Sequence, residues 1–287
     1  MKILVTGYKG FIGSHVYQGM IDHGHDVVGY DYDESHGCLP YVGEYDTVIH
    51  LGAISSTTEM DINKIFVHNY DFSIKLYREC VAYRVNFQYA SSASVYGDLT
   101  EFKEDGDARP LNPYAWTKFM FDKFVTEVEQ TSKIDVQGFR YFNVYGTNEE
   151  HKGEQASVFT KFQHQAKDLS KITLFKDSDQ FKRDFVCVND IVEIHKQMLW
   201  KHVSGVYNVG TGVATSFQKV GELFSKKLNV DIDYIDMPDN LKNQYQKFTK
   251  ADNSKLNSII DIKWTTPKQW IDANVDAVKD IEQPIQP

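Results

Sequence analysis

The sequence predicts an α/β fold with a doubly wound parallel sheet and a smaller C-terminal α/β region. Two observations predict it. Short apolar, strand-like runs alternate with helical patterns through the first half of the chain, which is the pattern of a parallel sheet covered by helices. A glycine-rich turn, TGYKGFIGS, stands between the first of those strands and the first helix. At 287 residues the chain can bury a large core, as one body or two closely joined ones.

Residues 2–6 (KILVT) read as a strand and 11–23 as a helix that Gly24 ends. The next strand is 26–30, closed by Asp31, and 47–51 (TVIHL) is a buried strand. A long helix is expected over 63–83, a strand over 87–90, a helix over 113–130 and a strand over 136–141. Beyond about Thr147 helical and strand pieces interleave with polar loops. The expected organisation is a dinucleotide-binding unit over 1–147, including helix 113–130, and a region over 148–287 that mainly binds substrate and interleaves with the first.

Gly7, Gly10 and Gly13 form G-x-x-G-x-x-G at the end of the first strand. Glycines there permit a tight turn, close backbone approach to a pyrophosphate and close helix packing, while the helix N-terminus supplies N–H groups and partial positive charge. The motif marks the sheet as Rossmann-like. Asp31, ending the second strand, is either an acceptor for an adenosine ribose or a solvated turn residue.

Tyr114 and Lys118 lie four residues apart in PYAWTKFMFDKF, on one face of a helix. An ammonium beside a phenol favours the phenolate, so the pair suits proton transfer to and from a sugar hydroxyl while a nicotinamide exchanges hydride. Arg183, in FKRDFVCVND, is a fork for a diphosphate or a member of a surface ion pair. Asn143, in FRYFNVYG, follows a strand at the sheet edge where α/β ligands bind; it contacts sugar or cofactor, or is a turn asparagine.

The formal charge of −9 argues against nucleic acid as a partner, because phosphate backbones call for a basic face. An anionic substrate must be held by local cations and helix N-termini. The three cysteines, Cys38, Cys80 and Cys187, show no metal-ligand spacing and suggest a reducing, cytoplasmic setting. The start, MKILVTG, reads as a strand and not as a signal peptide, and no apolar run is long enough for a membrane span.

Nearly the whole chain resembles the extended short-chain dehydrogenases/reductases, the nucleotide-sugar epimerase and dehydratase superfamily. The resemblance rests on TGYKGFIGS, HLGA, SSASVYG, PYAWTK, RYFNVYG, RDFVCVNDI and YNVGTG, in that order. Within it the chain is most similar to the heptose 6-epimerases, through HLGAISSTTEMD, EEHKG followed by ASV, FKRDFVCV, YNVGTGVATSFQKV and QYQKFTKAD. The resemblance implies a nicotinamide dinucleotide, NAD or NADP, and a nucleotide-diphosphate sugar, most similar to ADP-glycero-manno-heptose. It makes Tyr114 and Lys118 the catalytic pair, Ser92 the hydroxyl that orients the substrate oxygen, and Lys152 a second acid/base. Phe11 and Ile12 match residues beside the pyrophosphate; Leu51, Gly52, Ala53, Ile54 and Ser55 match a strand end lining the cofactor, joined by Tyr32 and Val144. His68 falls where relatives carry an asparagine near the cofactor and Asn69 follows it, so either is the contact. Substrate positions are Ser55, Ser92, Asn143, Lys161, Phe175, Lys176, Asp177, Ser178, Arg183 and Tyr245. In relatives the two long helices form a dimer bundle, which implies a homo-oligomer.

Two departures from the family matter. The stretch 31–46, DYDESHGCLPYVGEYD, is short and holds no lysine or arginine, whereas the heptose epimerases use lysines there for a 2′-phosphate. Asp31, Asp33 and Glu34 would repel that group, which favours NAD. Glu154 follows HKG, and a carboxylate there would alter substrate preference. Superfamily dehydratases carry an Asp-Glu pair just after the catalytic hydroxyl; Ala93 and Ser94 stand here, so dehydration lacks its acid and base. Other 4-epimerases or reductases of the superfamily remain alternatives, as does a non-catalytic NAD-binding regulator, although the latter is expected to lack Tyr114 or Lys118.

Overall fold

A computed structural model describes residues 1–128, 133–238 and 246–276. The strands β1 (Lys2–Thr6), β2 (Asp26–Tyr30), β3 (Thr47–His50), β4 (Asn86–Ser92), β5 (Val136–Tyr141) and β9 (Gly205–Val209) form one sheet in the order β2-β1-β3-β4-β5-β9, every pairing parallel. This is the doubly wound topology. Its strands β1, β3, β4, β5 and β9 are buried almost throughout, which is why they read as continuous apolar runs. β9 comes from the second half of the chain, so the sheet is completed by residues far beyond Thr147.

Helices α1 (Phe11–Asp22) and α6 (Val188–Met198) cover one face, and their Val16, Met20, Ile191, Ile194 and Met198 join Ile3, Val5 and Phe139 of the sheet in one core. The other face is covered by α3 (Phe72–Tyr83) and α4 (Pro113–Val128), with Leu76, Tyr77, Phe121 and Val125 against Leu4, Val48, Phe87 and Val136. A third core joins α5 (Val158–Leu169) and α7 (Phe217–Leu228) to β7 (Lys171–Phe175) and β8 (Lys182–Cys187). Around it, β6 (Asn143–Tyr145), β8 and β10 (Ala214–Ser216) form a small mixed sheet, and β7 pairs with β11 (Asp231–Ile235). The short α8 (Ser254–Asn257) and α9 (Pro267–Asn274) follow. No helix among the described residues is long and apolar enough to cross a membrane.

Two elements differ from the sequence reading, and the end of a third is not described. The helix expected over 63–83 is α2 (Ile62–Phe66), a π turn (Val67–Asp71) and α3 in unbroken succession. Strand β4 runs on to Ser92, two residues past the expected end at 90, because Ser91 and Ser92 pair with Arg140 and Tyr141. Residues 129 and 130 of the expected helix 113–130 lie outside the described residues.

Most buried polar groups among the described residues are paired, as a close-packed interior requires. His50 is hydrogen-bonded to Thr6 at 2.7 Å and Ser73 at 2.8 Å; His195 to Tyr141 at 2.6 Å and Gln88 at 2.7 Å. Burial depresses both imidazoles to about 3, so they are neutral structural groups. Asp184, beside Arg183 in the sequence, is likewise structural. It is 0% exposed and accepts from the N–H groups of Thr211, Gly212 and Ala251 and from the Thr211 hydroxyl at 2.7–3.0 Å. One carboxylate thus joins β8, the turn after β9 and the segment before α8. Asp184→Ala leaves three buried N–H groups unpaired; a loss of roughly 3 kcal/mol or more is expected, read as a fall in Tm of roughly 10 °C.

Candidate active site

The site begins where β1 ends. Gly7 turns the chain with φ +68°, and a Cβ there would fall 2.5 Å from Cα of Gly52. Its N–H donates to the Tyr30 carbonyl at 2.8 Å, so the turn is tied to the end of β2. A Cβ on Gly13 would fall 2.0 Å from the Gly7 carbonyl oxygen; its absence lets α1 seat directly on the turn. Gly10 is the N-cap of α1 and offers no side chain to cap it. The first-turn N–H groups of Phe11, Ile12 and Gly13 therefore form a backbone cradle for an anion.

Beside this cradle lies a cavity of about 190 Å³ that brings together Gly7, Gly10, Asp31, Tyr32, Leu51, Gly52, Ala53 and His68 from the predicted set. Asp33 and Ile54, both expected near the cofactor, line it too, while Thr6, Tyr30 and Phe72 also line it and were missed. The signal that would have found Thr6 and Tyr30 is position: both sit at strand carboxyl ends beside the topological switch between β1 and β3. His68 lies against Tyr32, ring centroids 4.1 Å apart, and lines the cavity. Asn69 does not line it. Its Oδ1 accepts from the Ile54 N–H at 2.8 Å, and its Nδ2 donates to the Ile54 carbonyl at 2.9 Å and to Thr117 at 3.3 Å. Asn69 thus holds the loop that follows β3 to helix α4. Ser55 is exposed one residue beyond the lining, and Val144 packs against the main core.

The cavity, with acids beside the glycine turn, suits the ribose end of a dinucleotide. β2 is the edge strand, and 31–46 adds no strand beyond it. Two acids, Asp31 and Asp33, line the cavity, and no lysine or arginine does among the described residues. The nearby Lys9 is paired with Glu34.

Tyr114 lies in the first turn of α4, behind Pro113, with Asn112 Oδ1 accepting from the Ala115 N–H at 2.8 Å. Lys118, one turn on, is 6% exposed. Its Nζ donates to the Ala90 carbonyl at 2.8 Å and stands 5.9 Å from the centre of the Tyr114 ring. Burial lowers Lys118 to about 8, with the Asp122 carboxylate pulling it back up. The Tyr114 phenol is raised, first by burial; a hydrogen bond with Ser92 lowers it and Asp122 raises it further. The expected depression of the phenol by Lys118 is therefore outweighed, since desolvation disfavours both charged forms and the ammonium is turned to Ala90. Ser92 Oγ accepts from the Ser94 N–H at 3.1 Å, which leaves the Ser92 proton to be donated toward the phenol oxygen.

Lys152 comes from the 3₁₀ segment Glu150–Gln155, and its Nζ stands over the Phe11 ring at 5.0 Å. Burial lowers its pKa and the Glu149 carboxylate opposes that. Glu149 itself accepts from the N–H groups of Gly146 at 3.1 Å and Ser157 at 2.5 Å, anchoring the segment.

The predicted substrate positions divide. Arg183 is buried, with its guanidinium 5.4 Å from the Phe217 ring, so it is no solvated surface residue. Ser178 is buried, and its hydroxyl has no hydrogen-bond partner among the described residues. Phe175 ends β7, and Asp177 adopts φ +62° in the turn after it. Asn143 is exposed and accepts from Thr249 at 3.3 Å. Lys161 donates to the Glu154 carbonyl at 2.6 Å and lies 3.8 Å from its carboxylate; Lys176 pairs with Asp236 at 3.0 Å. These two lysines are engaged with the protein's own acceptors, Glu154 among them. Tyr245 lies outside the described residues. A larger apolar cleft of about 880 Å³, between β10, α7 and α9, is lined by none of the predicted residues.

Comparison with known proteins accords with this geometry. The chain has a TM-score of 0.81 to the UDP-N-acetylglucosamine 4-epimerase of Methanobrevibacter ruminantium M1 in complex with UDP-N-acetylmuramic acid, at 24% identity over 94% of this chain and 97% of that one. It is similar to ADP-L-glycero-D-manno-heptose-6-epimerase of Helicobacter pylori, with a TM-score of 0.81 and 25% identity over 95% and 94% of the two chains. It is also similar to the UDP-glucose 4-epimerase of Thermus thermophilus in complex with NAD, with a TM-score of 0.79 and 24% identity over 95% and 98%. Residues 3–210, from β1 to the end of the sheet, match the NAD dependent epimerase/dehydratase family, and the chain belongs to that family.

Proposed function

We propose that this NAD-dependent nucleotide-sugar epimerase inverts carbon 6 of a nucleotide-linked heptose, ADP-glycero-manno-heptose. The observation that carries the reading is Lys152, a desolvated ammonium over Phe11 at the start of α1, supplied by an element separate from the helix of Tyr114 and Lys118. Inversion exposes the hydroxyl on opposite sides of the sugar carbon in substrate and product. One phenol on one side does not serve both geometries, whereas a second proton carrier does.

The dinucleotide, when bound, supplies reversible hydride exchange at the sugar carbon; the glycine turn 7–13, Asp31, Tyr32, Leu51, Gly52, Ala53 and His68 would hold it. Tyr114 carries the hydroxyl proton at its phenol oxygen. Ser92 donates to that oxygen and steadies the phenolate. Tyr114 and Lys118 stand one helical turn apart, and burial raises the first and lowers the second. At pH 7 the pair holds both protons; it loses the first near the Lys118 value of about 8. The remaining proton then rests mainly on the phenol; the reacting form is the minor one with phenolate beside ammonium, whose share grows as the first proton leaves. Turnover should accordingly rise as pH rises through about 8. Tyr114→Phe should lower turnover by roughly 10²-fold or more and abolish that rise, with dinucleotide affinity little changed; activity within a few-fold of the parent removes Tyr114 from the mechanism.

The acids along 31–34 favour NAD. Calorimetry should show NAD binding more tightly than NADP, by roughly tenfold or more for an unpaired phosphate facing two carboxylates. Tighter NADP binding overturns the NAD preference.

Product analysis with ADP-heptose tests the substrate. Inversion at carbon 6 in the parent, slowed in Lys152→Met with affinity kept within a few-fold, supports the two-carrier mechanism. If Lys152→Met loses affinity at unchanged maximal rate, Lys152 is a diphosphate ligand. Turnover of a UDP-hexose in place of ADP-heptose makes the protein a 4-epimerase.

A further inference from the structure

We propose that Asp122 is the positioning residue of the catalytic helix: clamped by β4 and β5, its carboxylate holds the turn bearing Lys118 against the sheet and serves as the counter-charge of that ammonium. The proposal rests on Lys118 belonging to the catalytic pair. Asp122 is one turn beyond Lys118 on α4 and 2% exposed. It accepts from three donors on two strands: Tyr89 Oη at 3.0 Å, Ser91 Oγ at 2.9 Å and Arg140 Nε at 2.8 Å. Arg140, 5% exposed, is fixed in turn by Nη1 donating to Tyr96 Oη at 2.9 Å, and Tyr96 donates to Asn208 at 2.7 Å. The chain of contacts runs from α4 across β4 and β5 to β9.

Tyr89 and Ser91 flank Ala90, whose carbonyl receives Lys118. Helix and strand are thus pinned on both sides of the lysine's acceptor. Arg140 is buried and needs a counter-charge, but a neutral hydrogen-bond acceptor would suffice to hold α4. A carboxylate at this place does more, because it acts on the two protons of the pair. Other groups near Lys118 do not supply the charge. His50, on β3, is neutral. Asn69, in the π turn, is uncharged, and Tyr141, on β5, is held protonated by burial. Arg140 is of the wrong sign and is turned to Asp122 and Tyr96. Asp122 is closer along the helix to Lys118 than to Tyr114, so it favours keeping the last proton on lysine, which leaves the phenolate free to act.

The test reads Lys118 itself, by ¹³Cε and ¹⁵Nζ NMR of lysine-labelled protein across pH, with the resonance assigned by its loss in Lys118→Met. In Asp122→Asn the Lys118 midpoint should fall by about one pH unit or more below the parent's. Asp122→Glu should return it toward the parent. Because Asp122→Asn leaves Arg140 without its carboxylate, the double variant Asp122→Asn, Arg140→Gln is measured beside it; the midpoint should fall there too. In turnover, the rise with pH should move to lower pH and its plateau should drop, since more of the retained proton passes to the phenol. An unchanged Lys118 midpoint in whichever of the two variants folds, judged by circular dichroism, overturns the proposal. The NMR midpoint requires no substrate, so failure of the proposed reaction and failure of this inference are read separately.

Discussion

The site depends on the backbone contact between Gly7 and Gly52. With no Cβ on either residue, the turn after β1 and the loop after β3 approach to a separation that any side chain would fill. That contact sets where the first-turn N–H groups of α1 point and where the loop 51–54 begins. The loop is then carried onward: Asn69 grips both backbone groups of Ile54 and reaches Thr117, whose hydroxyl donates to the Tyr114 carbonyl at 2.7 Å. The loop beside the glycine turn and the helix of Tyr114 are thereby joined through a short series of hydrogen bonds.

The π turn at Val67–Asp71 makes the junction possible. Its extra residue per turn shifts the helix phase, so that Asn69 faces inward to the loop while His68, next to it, reaches the cavity beside Tyr32. π turns inside helices are energetically poor and recur at functional sites. Here the cost falls where two successive polar side chains are needed in two different directions.

Electrostatically the site opposes the molecule around it. The chain is acidic overall, with a formal charge of −9, yet the candidate site holds two lysines, Lys118 and Lys152, whose charged forms burial disfavours. Each is answered by a carboxylate on its own segment, Asp122 for one and Glu149 for the other, and each of those carboxylates is in turn held by buried donors. Burial lowers both lysines, and each carboxylate opposes that shift. Asp31 and Asp33 line the cavity beside the glycine turn, just past the edge strand β2.

The sequence by itself determined the alternation of strands and helices, the glycine turn and the placing of Tyr114 and Lys118 one helical turn apart, because these are local. Apolar runs of strand length, glycines at fixed spacing and a Tyr–Lys pair at one helical turn each express their physics within a few residues. The resemblance to a family added Ser92 and Lys152. Tertiary structure decided the rest. β9 joins the sheet through pairing with β5 across some seventy intervening residues, roughly the range at which no local pattern specifies a partner. The division of labour between His68 and Asn69 depends on a π turn that has the same apolar spacing as an ordinary helix. Lys161 and Lys176 look free in the sequence but are taken by Glu154 and Asp236, and the raised phenol of Tyr114 follows from burial that only the packed sheet and helix create. Charge and proximity along the chain were legible; desolvation, which outweighs them here, is a property of the assembled fold.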